Sequence, residues 1–152
     1  MQCVILAAGE GSRMRPLTSS RPKVMLPLVG KPMLEHLIRN VKEAGIKEII
    51  IVVGYKEEAI REYFGDGRSF GVSITYVVQR KQLGTADALR TAEPFITDTF
   101  LMLNGDMVVE IGDLQKICRQ WFYKYRRPFS LIPSTQTYRR VRCLPPFRRC
   151  GS

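Results

Sequence analysis

The sequence predicts an α/β domain, a three-layer sandwich in which helices cover both faces of a mostly parallel sheet. Three observations carry this. Strand-like and helix-like runs alternate through residue 120, the links between them are short, and the first run is apolar throughout. A strand covered on both faces needs such a continuous apolar run, and strictly alternating strands and helices bring each strand back parallel to the one before.

The elements run in this order. Gln2 to Ala7 is the first strand. Leu34, Leu37, Ile38, Val41 and Ala44 recur at helical spacing, and Gly45 supplies the stop. Glu48 to Val53 is a β-branched second strand closed by Gly54. Lys56 to Phe64 reads as a short helix with Ala59, Ile60, Tyr63 and Phe64 inward, ending at Gly65. Val72 to Val78 is the third strand, Leu83 to Ala92 a helix, Phe100 to Leu103 the fourth strand, and Gly112 to Gln120 the start of another helix. Ligands of such sheets bind beyond the carboxyl ends of the strands.

Composition bounds the rest. A chain of 152 residues with 45% hydrophobic content can bury one core. No apolar run approaches the roughly 20 residues that span a bilayer, so no membrane partner is expected. The start of the chain lacks the charged region of a signal peptide, which predicts a cytoplasmic protein. Cys3, Cys118, Cys143 and Cys150 form no C-x-x-C pair, so neither zinc nor a disulfide is expected. Cys3 falls in the first strand, where a thiol is a small hydrophobe. All 14 acidic residues lie at or before Asp113, together with 14 of the 24 basic ones, so the net charge of +10 belongs entirely to residues 114–152. That composition shift marks a boundary. The expected organisation is an α/β domain over 1–120 and a basic, aromatic tail over 121–152.

Three motifs carry the chemistry. Residues 5 to 32 read ILAAGEGSRMRPLTSSRPKVMLPLVGKP, an apolar strand running into a glycine turn, then an arginine, then a lysine among prolines. After Leu6, the small residues Ala7, Ala8, Gly9 and Gly11 let backbone approach a phosphate, and backbone N–H groups can point at the anion. Arg13 and Lys23 add a planar fork and a mobile point charge, which suits a triphosphate. The spacing is neither the dinucleotide fingerprint nor the Walker loop. The second motif runs from the third strand into Gln79 through Leu83, Gly84, Thr85, Ala86 and Asp87. A glutamine at a strand end offers a donor and an acceptor to a base edge, and Gly84 leaves room for the base. The third is Leu103-Asn104-Gly105-Asp106, where Asp106 presents a hard oxygen ligand of the kind magnesium takes at phosphate sites. Taken alone, the second motif is also an ordinary helix start, with Thr85 near the cap, and the third an ordinary turn. Their common sheet edge favours a site.

The first window resembles the signature G-x-G-x-R-x-x-P-L-T…P-K…P…K-P of the sugar-1-phosphate nucleotidylyltransferases, matched at Gly9, Gly11, Arg13, Pro16, Leu17, Thr18, Pro22, Lys23, Pro27, Lys31 and Pro32. The resemblance covers roughly residues 2 to 120 and implies the Rossmann-like nucleotide-diphospho-sugar transferase fold. It implies attack of a sugar 1-phosphate oxygen on the α-phosphorus of a nucleoside triphosphate, with pyrophosphate released and no covalent enzyme intermediate. It further implies Arg13 on the β- and γ-phosphates, Lys23 on the phosphate under attack, and Asp106 on magnesium. Leu6, Ala8, Gly9, Gly11 and Ser12, with Gln79, Gly84 and Thr85, form the implied nucleotide-binding set. The L-A-A-G opening with Q-L-G-T-A-D-A-L looks like enzymes that use UTP or dTTP, with homo-oligomerisation left open. His36, inside the first helix among Leu34, Leu37 and Ile38, is expected to be structural.

The family's sugar pocket and second metal-binding aspartate have no counterpart after Asp113, which points to an incomplete nucleotidyltransferase with a frame-shifted or unselected tail, inactive in turnover. Two other readings stay open: a nucleotide-binding module without catalysis, and a tail whose basic and aromatic residues bind single-stranded nucleic acid. Nucleic acid is not the expected partner. A dinucleotide oxidoreductase is disfavoured, since Glu48 precedes its strand instead of closing it.

Overall fold

The computed structural model describes residues 1–81 and 83–124, and of 121–124 the backbone alone. The chain forms β1 (Gln2–Ala7), β2 (Pro27–Leu28), β3 (Lys31–Pro32), α1 (Met33–Glu43), β4 (Glu48–Val53), α2 (Glu57–Phe64), β5 (Ser73–Val78), α3 (Thr85–Ala92), β6 (Phe100–Asn104) and α4 (Ile111–Lys124). All eight strands and helices expected from the sequence are present.

The main sheet is parallel in the order β5-β4-β1-β6. The chain moves outward from β1 through β4 to β5, then returns to lay β6 on the other side of β1. The reversal falls between β1 and β6, and open α/β sheets bind ligands beyond the carboxyl ends of strands at such a switch point. Residues of β1 and β4 alternate between two cores. On one face Cys3, Ile5, Ile49, Ile51 and Val53 pack with α1, α2 and α4; on the other, Val4, Ile50 and Val52 pack with α3. Burial on both faces is the reason the two strands are apolar from Cys3 to Ala7 and from Ile49 to Val53.

Helix α1 buries Leu34, Leu37, Ile38 and Val41 at the spacing of one helical face. It ends in a Schellman arrangement: Ile46 N–H donates to the Val41 carbonyl at 3.2 Å and Gly45 N–H to the Lys42 carbonyl at 2.9 Å. Buried Ile46 then leads into β4. On α3 the buried residues are Ala88 and Ala92, small enough to bring the helix close to the sheet.

The differences from expectation are local. The β2–β3 hairpin has no strand period to read, because each strand is two residues long and contains a proline. Helix α3 starts at Thr85 instead of Leu83, since Gly84 has φ 98° and ψ −177° and cannot be helical. Helix α4 runs through Lys124, four residues past the boundary expected at 120. The rest of the basic segment lies outside the described residues.

Candidate nucleotide-binding site

The turn after β1 is positioned by three clamps. Gly11 sits in the left-handed region at φ 64°, which glycine adopts without strain, and a Cβ there would lie 3.0 Å from Lys23 Cβ and 3.2 Å from Thr18 Cγ2. Thr18, 1% exposed, donates its hydroxyl to the Gly11 carbonyl at 3.0 Å. The Ala8 carbonyl accepts from Tyr55 N–H at 3.2 Å, and Gly54 lies so close that its Cβ would be 3.0 Å from the same oxygen. The backbone N–H groups of residues 9–12 have no acceptor among the described residues. Backbone donors are rarely left unused, so this run is suited to an anion. A Cβ at Gly9 would meet no atom of the described residues within 4 Å, which leaves room over the turn.

The two arginines of the turn differ. Arg15 pairs with Glu10, whereas Arg13 is exposed and has no partner among the described residues. Arg13 is therefore the cation left for a ligand.

Lys23 opens a short turn after Pro22, anchored by the buried side chains of Val24 and Met25. Its Nζ reaches Asp106 Oδ2 at 2.7 Å, joining residues 83 positions apart. Asp106 is brought there by the end of β6: Gly105 N–H donates to the Leu6 carbonyl at 2.8 Å. A Cβ at Gly105 would be 2.9 Å from Val24 Cγ1, so glycine is what allows the two chain segments to meet. The residues read as phosphate ligand and metal ligand thus neutralise each other here.

Among the described residues no three acidic, histidine or cysteine side chains gather in a metal-holding group. A lone, partly exposed carboxylate is a fitting donor for magnesium, which usually takes one or two carboxylates and fills its octahedron with phosphate oxygens and water.

Gln79 comes directly after β5 and is 6% exposed. Its Nε2 donates to Asp87 Oδ2 at 2.8 Å and to the Gly84 carbonyl at 3.3 Å. A Cβ on Gly84 would meet no atom of the described residues within 4 Å, and Thr85 opens α3 beside it. Leu6, Ala8 and Gly54 lie at neighbouring strand ends. Ser12 is exposed in the turn. The expected residues therefore share one edge, spread from β6 across β1 to β5.

His36 is structural, as expected: its Nε2 donates to the Leu28 carbonyl at 2.8 Å and ties α1 to the hairpin. Sequence reasoning missed the clamps. Thr18 was matched only as part of a signature, and Tyr55 and Asp87 drew no assignment, because their partners are set by the folded chain.

A parallel sheet whose order reverses over a glycine turn, with basic side chains beside it, is the arrangement at which open α/β sheets bind ligands. The nucleotidyl transferase family model matches residues 2–131, and the chain belongs to that family. Within it the chain falls among the sugar-1-phosphate nucleotidylyltransferases. It is 48% identical over 110 residues to the bifunctional protein GlmU of Methanococcus maripaludis strain C5, covering 72% of this chain and 26% of that protein. It is 43% identical over 122 residues to the UTP–glucose-1-phosphate uridylyltransferase AglF of Haloferax volcanii, covering 79% and 50%. A solved Bacillus anthracis structure, described as a glucose-1-phosphate thymidylyltransferase in complex with a sucrose, superposes with a TM-score of 0.76 at 32% identity, covering 82% of this chain and 51% of that one. The chain thus spans from about a quarter to about half of these relatives.

Proposed function

We propose that this chain is the nucleotide-binding part of an enzyme that transfers a nucleoside monophosphate from UTP or dTTP to a sugar 1-phosphate. The observation that carries the reading is the meeting of Gly9–Arg13, Lys23 and Asp106 where the strand order reverses between β1 and β6. The unclaimed N–H groups of residues 9–12 receive the phosphates. Arg13 neutralises the β- and γ-phosphates. Lys23 leaves Asp106 for the α-phosphate, and Asp106 becomes the carboxylate ligand of magnesium.

Bound magnesium would neutralise developing charge on the phosphate oxygens. The chain's own residues hold the triphosphate so that a sugar phosphate oxygen can form a bond to the α-phosphorus as the bond to pyrophosphate breaks. The nucleophile is already ionised and needs no general base, so alignment and charge compensation do the catalysis. In this reading residues 1–120 are the nucleotide-binding region, working in the cytoplasm on charged metabolites. Similarity to the uridylyltransferase AglF and to the Bacillus anthracis thymidylyltransferase supports a uridylyl or thymidylyl donor.

Isothermal titration with UTP and dTTP, with and without magnesium, tests this. Binding that strengthens with magnesium is expected, and Arg13→Ala should weaken it by about 10- to 100-fold, the worth of one charge-assisted hydrogen bond. No heat with any triphosphate at millimolar concentration overturns the reading.

A further inference from the structure

We propose that Asp87 is a specificity-positioning residue: by anchoring the Gln79 side-chain amide, it commits the site to nucleobases that present an imide N–H and against those that present a ring-nitrogen lone pair. The inference rests on the nucleotide reading above and extends it to a residue that does not itself touch the base.

A glutamine amide has two N–H donors and one acceptor oxygen. Both neighbours of the Gln79 Nε2, the Asp87 carboxylate oxygen at 2.8 Å and the Gly84 carbonyl at 3.3 Å, can only accept. Turning the amide by 180° would set Oε1 against two acceptors and lose both bonds. Chemistry therefore fixes the orientation. With Nε2 directed at these two acceptors, the amide has only Oε1 left to offer. Oε1 has no partner among the described residues, yet none of their buried side-chain polar atoms lacks one. Oε1 lies at the carboxyl end of β5, beside Gly84, where a Cβ would meet no atom of the described residues within 4 Å.

An acceptor in that place bonds the N3–H of uracil or thymine. It faces the N3 lone pair of cytosine and the N1 lone pair of adenine, acceptor against acceptor. Guanine also carries an N–H at N1, so the informative comparison holds ring size constant: UTP against CTP. Asp87 lies in the first turn of α3, eight positions from Gln79, and reaches it only because α3 packs on the sheet face that holds Val77.

The test is equilibrium binding of UTP and CTP, in excess magnesium, to the unaltered chain, Asp87→Ala and the near-isosteric Asp87→Asn, with thermal melts for all three. The unaltered chain is expected to prefer UTP by about tenfold or more, the worth of one hydrogen bond set against a repulsion. In Asp87→Ala the shorter of the two anchors is lost and only the 3.3 Å bond to the Gly84 carbonyl opposes rotation, so the amide can turn and donate from Nε2 to cytosine N3; CTP then binds more tightly than to the unaltered chain and the ratio falls toward one. Asp87→Asn, whose amide can accept or donate, falls between. Tighter CTP binding is a gain that damage to the fold does not produce. Loss of UTP binding in Asp87→Ala with no gain for CTP, an unchanged ratio in both variants, or equal binding of UTP and CTP by the unaltered chain each overturns the proposal while leaving nucleotide binding intact. Failure of the unaltered chain to bind any triphosphate overturns the nucleotide reading and this inference together.

Discussion

Glu35 occupies the buried face of α1 with 3% of its surface exposed. Burial opposes its ionisation, but hydrogen bonds from Tyr63 Oη at 2.6 Å and Arg39 Nε at 2.7 Å, with the charges of Arg39 and Lys31, outweigh it. The carboxyl is held below its ordinary value of 4.5. Because the folded value is the lower one, Glu35 contributes stability that is fully present above the unfolded value and lost as pH falls through the folded one. Urea denaturation across acid pH should therefore show a steeper loss for the unaltered chain than for Glu35→Gln. Equal slopes would mean that the carboxyl titrates alike folded and unfolded. A buried acid on a helix whose neighbours read as an apolar stripe was not legible in the sequence, since its partner Tyr63 is 28 positions away and the pattern records only apolar spacing.

Elements repeat the lesson with one informative failure. Long apolar periods such as Leu34-Leu37-Ile38-Val41 are set by local geometry and were legible. The β2–β3 hairpin was not, because its turn lacks the usual asparagine-glycine or aspartate-glycine signal. Val29 stands in the left-handed region at φ 50°, with Gly30 next at φ 80°. Positive φ at both turn positions favours asparagine over a β-branched residue, and Val29 is 90% exposed, so its side chain contributes no packing. Val29→Asn should raise stability by about 1 kcal/mol, read as a higher urea midpoint at constant slope. A lower midpoint would show that the hairpin depends on the valine side chain.

For the molecule as a whole, the site is drawn from the turn after β1, the Lys23 segment, the end of β5 and the end of β6, so a ligand that bridges them binds the folded chain alone. Magnesium with UTP at 100 times its dissociation constant should add about 2.7 kcal/mol, a rise in melting temperature on the order of 10 °C. A melting temperature unmoved by saturating ligand would mean that these segments do not form one site. The sequence by itself determined the alternation of strands and helices, the glycine turn with Arg13 and Lys23, and the Gly-Asp and Gln…Gly-Thr strand ends, since period, glycine content and charge order are short-range properties. Only the tertiary structure decided that Lys23 meets Asp106 across 83 positions, that Arg15 is occupied by Glu10 while Arg13 is free among the described residues, and that Asp87 fixes the face of Gln79. The Lys23–Asp106 pairing arises from the strand order β5-β4-β1-β6 and the Gln79–Asp87 pairing from the face on which α3 packs, choices that leave no local pattern in the chain, whereas Arg15 and Glu10 meet within one turn whose shape the glycines set.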